Sequence, residues 1–374
     1  MATVVVPVRD RAARDRFIRF PWRVYADDPA WVPPLIADVR KLMAPDHPFQ
    51  QHADTEFFLA IRDDEVVGRV AAAVNHEYNA FHETRTGFVG LFEAVDDPAV
   101  ADRLLTTAAD WLRDRGMAEA IGPFNLSTND ELCSPGVLLD SHDTPPALLM
   151  AHTPPYYRRL FEDAGWSKTR DLLSYRLEAD APPDRLVSGV KRMTSRIAGL
   201  TVRQIELKRL DREIELVKEV YNAAWERNWG FAPLTDAEIQ HLADELKPII
   251  DERFALLAEV DGEPVGFALG LPDYNQALRH VNGRLFPFGI FKLLWHRRKI
   301  DQLRVFTLGL KPEYRRKGID ALFYLKIFEN GIGAGIHRAE AGWILEDNWG
   351  MRRGLERMGA YVFKTYRVYG RELG

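Results

Sequence analysis

The chain has 374 residues, enough for two domains that each bury a core. Its 46% hydrophobic and 28% charged content is that of a globular protein, and a formal charge of -5 excludes a general electrostatic pull toward nucleic acid. One cysteine, Cys133, excludes an intrachain disulfide, and ten histidines without HxxxH or CxxC spacing leave no metal site to expect.

The opening "MATVVVPVRDRAARDRF" breaks its apolar run too early for a secretion signal, and no later stretch gives about 18 uncharged residues. A cytoplasmic protein is therefore expected. Residues 57–75, "FFLAIRDDEVVGRVAAAVN", predict a hairpin whose second strand opens on Val-Gly. A long helix follows, with Asp97 as cap and Pro98 in its first turn. Between 121 and 157 the chain is dense in polar groups. Asn125, Ser127, Thr128, Asn129, Asp130 and Glu131 crowd together there, and His152 precedes "TPPYY", which holds Tyr156 and Tyr157. Such residues satisfy the backbone of turn-rich loops well.

After a Pro pair and small residues around 181–199, the second half begins. "AAWERNWGF" spaces Trp225 and Trp229 one helical turn apart with Asn228 between them. A second hairpin, 253–273, ends in "LPDYN", where Asp273 and Asn275 fit an Asx turn. Residues 284–300, "RLFPFGIFKLLWHRRKI", put aromatic rings ahead of cations. That composition suits an interfacial segment at an inner membrane, or equally a lid helix or dimer contact. The strand 304–310 then runs into "KPEYRRKGID" and a helix with Ile319, Leu322, Phe323 and Ile327 on one face.

The chain repeats itself. Gly68 and Gly266 occupy the same place in the two hairpins, "YRRLFEDAG" and "MRRGLERMG" share RRxxExxG, and Tyr175 keeps nearly the same offset from Tyr369. Duplication is the economical account. It predicts domains at 1–180 and 200–374, joined by 181–199, each a mixed sheet with helices on both faces.

The loop 315–320 carries the chemistry. The first amides of a helix have no intrahelical partner and sit at the positive end of its dipole, so a pyrophosphate can be held there by backbone. Gly318 allows close approach, and Arg315, Arg316 and Lys317 add attraction; a solvated basic turn is the competing reading. The first half offers acidic "AVDDPAV" at the matching place, so one coenzyme site per chain is expected.

This order of elements, with R-x-x-G after the strand and Asn348 opening a later helix, resembles the GNAT superfamily of coenzyme-A-dependent N-acyltransferases. More narrowly, the tandem halves with "FPWRVYADDPAWVPPL", "GPFNLSTNDE", "PPYYRRLFEDAGW", "AAWERNWGF" and "LPDYN" resemble the bacterial ceramide synthase-like family. Two residues depart from the superfamily pattern: Asp320 stands in place of Gly or Ala, and Leu355 in place of a tyrosine acid. The resemblance implies two tandem GNAT-like domains and acyl transfer from acyl-CoA, or from an acyl carrier protein, to an amine, in the narrow case a sphingoid base. It puts Leu308, Leu310, Arg315, Arg316, Lys317, Gly318, Ile319, Asp320 and Asn348 on the donor. It makes the first half an acceptor platform, with Asn125, Tyr156 and Tyr157 there, and Trp225, Asn228, Asp273 and Asn275 lining the cleft from the second half. Amine attack needs a base, for which Glu131, beside Asn129, and His152 are the candidates. A non-catalytic acyl-CoA sensor and a short-chain N-acetyltransferase acting on a small amine are the alternatives.

Overall fold

The computed structural model describes residues 2–126, 135–225 and 229–374. The first of its two units comprises Met1–Leu172, Leu278–Leu294 and Lys364–Gly374. Its strands are β1 (Val4–Pro7), β2 (Ala53–Arg62), β3 (Glu65–Asn75), β4 (Thr86–Ala94), β5 (Glu119–Gly122), β6 (Val137–Leu138) and the opening of β7 (Ser167–Glu178). β2 and β3 turn through Asp63 and Asp64, both at positive φ, the geometry that matches the twist of a two-residue hairpin. β1 to β4 run antiparallel in order, and β5 joins β4 in parallel, with Phe88 opposite Ile121. A parallel neighbour needs a crossover, which the helix Pro98–Arg113 supplies. Asp97 caps that helix by accepting from the Ala99 amide at 2.9 Å, and Val100, Leu104, Leu105, Ala108 and Leu112 bury its inner face.

The second unit comprises Leu173–Ala277 and Trp295–Phe363. It holds the rest of β7, then β8 (Leu200–Gln204), β9 (Ala255–Val260), β10 (Glu263–Pro272), β11 (Gln302–Leu310), β12 (Arg338–Leu345) and the start of β13 (Tyr361–Glu372), in the order β7-β12-β11-β10-β9-β8. The plan repeats: a hairpin β9–β10 turned at Asp261 and Gly262, both at positive φ, then a parallel pair β11–β12 crossed over by the helix Ile319–Gly333. β9 shows why both faces are covered. Leu256 and Ala258 pack with Phe323 of that helix, while Ala255 and Leu257 alternate to the other face and pack with Val220 of the helix Leu210–Trp225. Residues 181–199 carry a helix, Asp184–Thr194. Its Leu186, Val190 and Met193, at helical spacing, share a core with Leu322, Leu325 and Leu355.

β7 and β13 each serve both units, and this explains the repeated RRxxExxG. Glu162 of the first copy accepts a hydrogen bond from Tyr369 of β13 at 3.2 Å, and Glu356 of the second accepts one from Tyr175 of β7 at 2.9 Å. In both copies the glycine, Gly165 or Gly359, takes a left-handed φ and donates its N–H to the carbonyl of the same glutamate, which stops the helix. The motif is thus a helix stop with a carboxylate that locks a tyrosine from a chain-distant strand. The mixed α/β class expected from the sequence is the one the chain adopts.

Candidate active site

The second unit contains a gap in its sheet. β11 and β12 are in register from Gln302 opposite Arg338 to Val305 opposite Ala341, and there the pairing ends. On its other edge β11 stays paired with β10, but Leu269 faces Thr307 and Gly270 faces Val305, so Phe306 is an extra residue, a bulge that bends the strand where it leaves β12. Val305, Phe306, Thr307 and Leu308 are half-buried although they lie mid-strand. Such a gap presents strand backbone to a linear ligand.

The loop at the end of β11 leads into a helix head without a side-chain cap. A single 3-10 turn, Pro312–Tyr314, leads through Arg315 to Arg316 and Gly318, which both have positive φ, and into the fifteen-residue helix Ile319–Gly333. No side chain caps this helix, so its first amides keep their capacity for an incoming acceptor. Arg316 and Lys317 are exposed beside them. Asp320 lies in the first turn, where a carboxylate suits the dipole. Arg315 has a different task. Its Nε donates to the Leu310 carbonyl and its Nη2 to the Ala224 carbonyl, which ties the loop to the end of the helix Leu210–Trp225. Asn348 opens the helix Trp349–Arg357 and accepts from the Met351 amide at 3.2 Å.

The helices Ile319–Gly333 and Trp349–Arg357 both contribute to an apolar cavity lined by Leu177, Val305, Tyr324, Phe328, Leu355 and Met358. Leu355 brings no proton donor to it. Tyr324 does, and burial, followed by the charge of Asp320, pushes its phenol up so that it stays protonated. Leu310 is buried and Leu308 half-buried beneath the helix Ile319–Gly333. Trp225 stacks on Tyr221 at 4.9 Å and lies over Gly309, where a Cβ would come within 2.1 Å of the indole. Asp273 is buried at the end of β10 and accepts from the Asn275 amide at 3.2 Å and from Gln302 Nε2 at 3.1 Å, which is an Asx turn fastened to the next strand.

The sequence reading passed over one carboxylate. Glu340 is fully buried on β12, opposite Arg304 and one residue before the pairing ends. Its Oε1 accepts from Ser174 at 2.7 Å, while Oε2 has no hydrogen-bond partner and lies 3.7 Å from the Arg176 guanidinium. A buried acid inside a strand that otherwise reads "RAEAGWIL" was the available signal.

In the first unit the corresponding gap is closed. β4 and β5 pair only from Thr86 to Phe88, after which the Phe124 amide donates to the Val89 carbonyl at 2.8 Å and Asn125 Oδ1 accepts from the Leu91 amide at 2.9 Å. Tyr156 donates to the Ala94 carbonyl, and Tyr157 donates to Glu93 at 2.6 Å. Glu93 also faces Tyr25 at 3.0 Å and Arg69 at 3.6 Å; burial raises its carboxyl and the Arg69 charge opposes that rise. His152 Nε2 lies 2.7 Å from Asp28, and burial lowers the imidazole against the pull of that carboxylate. Glu131, Asn129, Asn228 and Cys133 lie outside the described residues. Among the described residues no group of three His, Cys, Asp or Glu side chains could hold a metal, and no helix is long and apolar enough to cross a membrane.

No family model matches the chain. It is 37% identical to the protein named bacterial ceramide synthase of Caulobacter vibrioides, over 99% of this chain and 97% of that one. It is 34% identical to protein YghO of Escherichia coli, over 96% and 92% of the two chains. Among solved structures, the tandem GNAT protein from the clavulanic acid biosynthesis pathway matches 100% of this chain and 99% of its own at 13% identity with a TM-score of 0.59. The GCN5-related N-acetyltransferase from Sphaerobacter thermophilus matches 99% and 96% at 16% identity with a TM-score of 0.53. The fold is therefore a tandem GNAT fold.

Proposed function

From the premise that the chain belongs to the bacterial ceramide synthase family and is an acyltransferase, we propose that it moves a long-chain acyl group from acyl-CoA to the primary amine of a sphingoid base. The observation that carries this reading is the 37% identity to the Caulobacter relative across almost the whole of both chains. The second unit supports it with an open strand gap leading into an uncapped helix head.

The residues divide the work. Amides at the head of the helix Ile319–Gly333 hold the pyrophosphate, with Arg316 and Lys317 meeting phosphate charge from solvent and Arg315 fixing the loop that presents them. The edge of β11 beyond Val305 faces the pantetheine arm, and its amides steady the oxyanion as the amine nitrogen bonds to the thioester carbon and the carbon–sulfur bond breaks. The Tyr324 phenol donates a hydrogen bond to the departing thiolate. The attacking nitrogen must lose a proton. Glu131 is the candidate from sequence, and Glu340 is the buried carboxylate with an oxygen that lacks a hydrogen-bond partner.

The test is a grid of acyl-CoA chain lengths against amines, reading free thiol and amide product together. Thiol and amide released in equal amounts, with a long acyl chain and a sphingoid base preferred, is the expected result. Thiol-free incubations with every amine would make the chain a sensor or scaffold, and a preference for acetyl-CoA with a small amine would make it a short-chain acetyltransferase.

A further inference from the structure

β10 and β11 are adjacent antiparallel strands, a pair that a turn of two to five residues can join. Here the connection runs over residues 273–301. Its base is well held. Trp22 Nε1 donates to Asn282 Oδ1 at 2.7 Å, Arg279 donates to the Pro29 carbonyl, and the Ile36 amide donates to the Gly283 carbonyl at 3.0 Å. Its tip is a tight turn into the helix Gly289–His296, with the Ile290 amide on the Leu285 carbonyl. A Cβ on Gly289 would sit 1.9 Å from the Arg284 carbonyl oxygen, so the turn is built for that glycine.

This anchored tip turns its apolar side chains to solvent. Phe286 is 77% exposed, Phe288 72%, Phe291 67%, Trp295 63% and Leu294 40%. Five of the eleven large apolar side chains that the described residues expose fall in these ten positions, which is a patch rather than scatter. Charge surrounds it. Arg284, Lys292, Arg297, Arg298 and Lys299 are all exposed, and 284–300 contains no Asp or Glu in a chain whose net charge is -5. Exposed cations interspersed with and following exposed aromatics call for a partner that offers apolar depth with anionic groups at its rim.

We propose that the tip 284–299 docks this protein on an anionic lipid bilayer. Phe286, Phe288 and Phe291 enter the acyl boundary, Trp295 lies at the head-group level, and the basic residues meet lipid phosphates. This does not depend on the amine or the donor, so it stands or falls apart from the function proposed above.

Co-sedimentation with phosphatidylcholine vesicles, with and without phosphatidylglycerol, tests it. The wild-type protein should bind phosphatidylglycerol vesicles better than neutral ones, and salt should weaken that preference. Phe288→Ser with Phe291→Ser should lower partitioning about tenfold or more on both vesicles, because the lost term is apolar. Arg297→Glu with Arg298→Glu should remove the preference for phosphatidylglycerol while keeping the residual apolar binding. Unchanged coenzyme A affinity and circular dichroism establish that both variants are folded. Wild-type protein that stays in solution with either vesicle, or variants that bind as the wild type does, would overturn the proposal. So would an aromatic variant that binds vesicles normally but changes oligomeric state by light scattering, since the patch would then be covered by a second copy.

Discussion

The two units share a hairpin, a parallel strand pair and a crossover helix, and they part at the gap beyond the parallel register. In the first unit the gap is filled by the chain's own groups, the Phe124 amide on Val89 and the Asn125 carboxamide on Leu91, and the crossover helix starts on the capping carboxylate of Asp97. In the second unit the register stops at Val305, the strand is bulged at Phe306, and the helix starts on Gly318 with no side-chain cap. Strand edges and helix heads carry polar groups that need partners. A unit that supplies those partners itself is finished as a scaffold. One that leaves them open can take them from a ligand, and the two units of this chain differ in that respect.

The largest effect should come from separating the halves. A fragment of residues 195–374 lacks Leu173 and Tyr175, which belong to the second unit's core, and Ser174, which satisfies the buried Glu340. We expect it to show no cooperative unfolding transition in denaturant, and a fragment that unfolds cooperatively and binds coenzyme A would show that residues 173–175 are dispensable to the second unit. Next in size is the loop. Gly318→Asp places a Cβ 2.9 Å from Met193 at a φ of +87° and adds negative charge at the helix head proposed to hold phosphate, so coenzyme A affinity should fall by about a hundredfold or more. Asp97→Ala, at the matching place in the first unit, should cost about 1 kcal/mol of stability and leave coenzyme affinity alone.

The base can be assigned to a unit by kinetics. Glu340→Gln keeps the Ser174 hydrogen bond but removes a carboxylate, so if Glu340 is the base kcat should drop by about a hundredfold with coenzyme affinity held. If Glu131→Gln produces that drop instead, the first unit supplies the base. Asn125→Ala should leave the Leu91 amide without its acceptor and lower stability by about 1–3 kcal/mol in chemical denaturation, with no effect on coenzyme binding. A gain of coenzyme binding in that variant would mean that Asn125 was all that closed the first gap. The smallest effect concerns pH. Burial lowers the His152 imidazole, so its contribution to stability is full above its unfolded value of about 6.5 and is lost as pH falls. His152→Gln should therefore flatten the loss of stability on acidification from neutral pH.

The sequence carried these features unevenly. Gly318, Asn348 and the helix after β11 were legible because their chemistry is local: backbone amides, a left-handed turn and a cap. RRxxExxG was legible as a repeat but not as a lock, since Glu162 meets Tyr369 and Glu356 meets Tyr175 across 207 and 181 residues of chain. The guanidinium of Arg315 counts as basic in any sequence reading, yet its partners are two carbonyls brought near only by packing. Leu186, Val190 and Met193 keep helical spacing within 181–199, and the nearby Pro pair outweighed them. Glu340 gave only a weak signal, an acid in an apolar strand, because one such residue does not show which face it takes.

Calorimetric titration of coenzyme A tests the central claim, that one open gap and one closed gap give one donor site. The account predicts one coenzyme A bound per chain, with no binding in folded Gly318→Asp protein. Two bound per chain, or one retained by that variant, would contradict it.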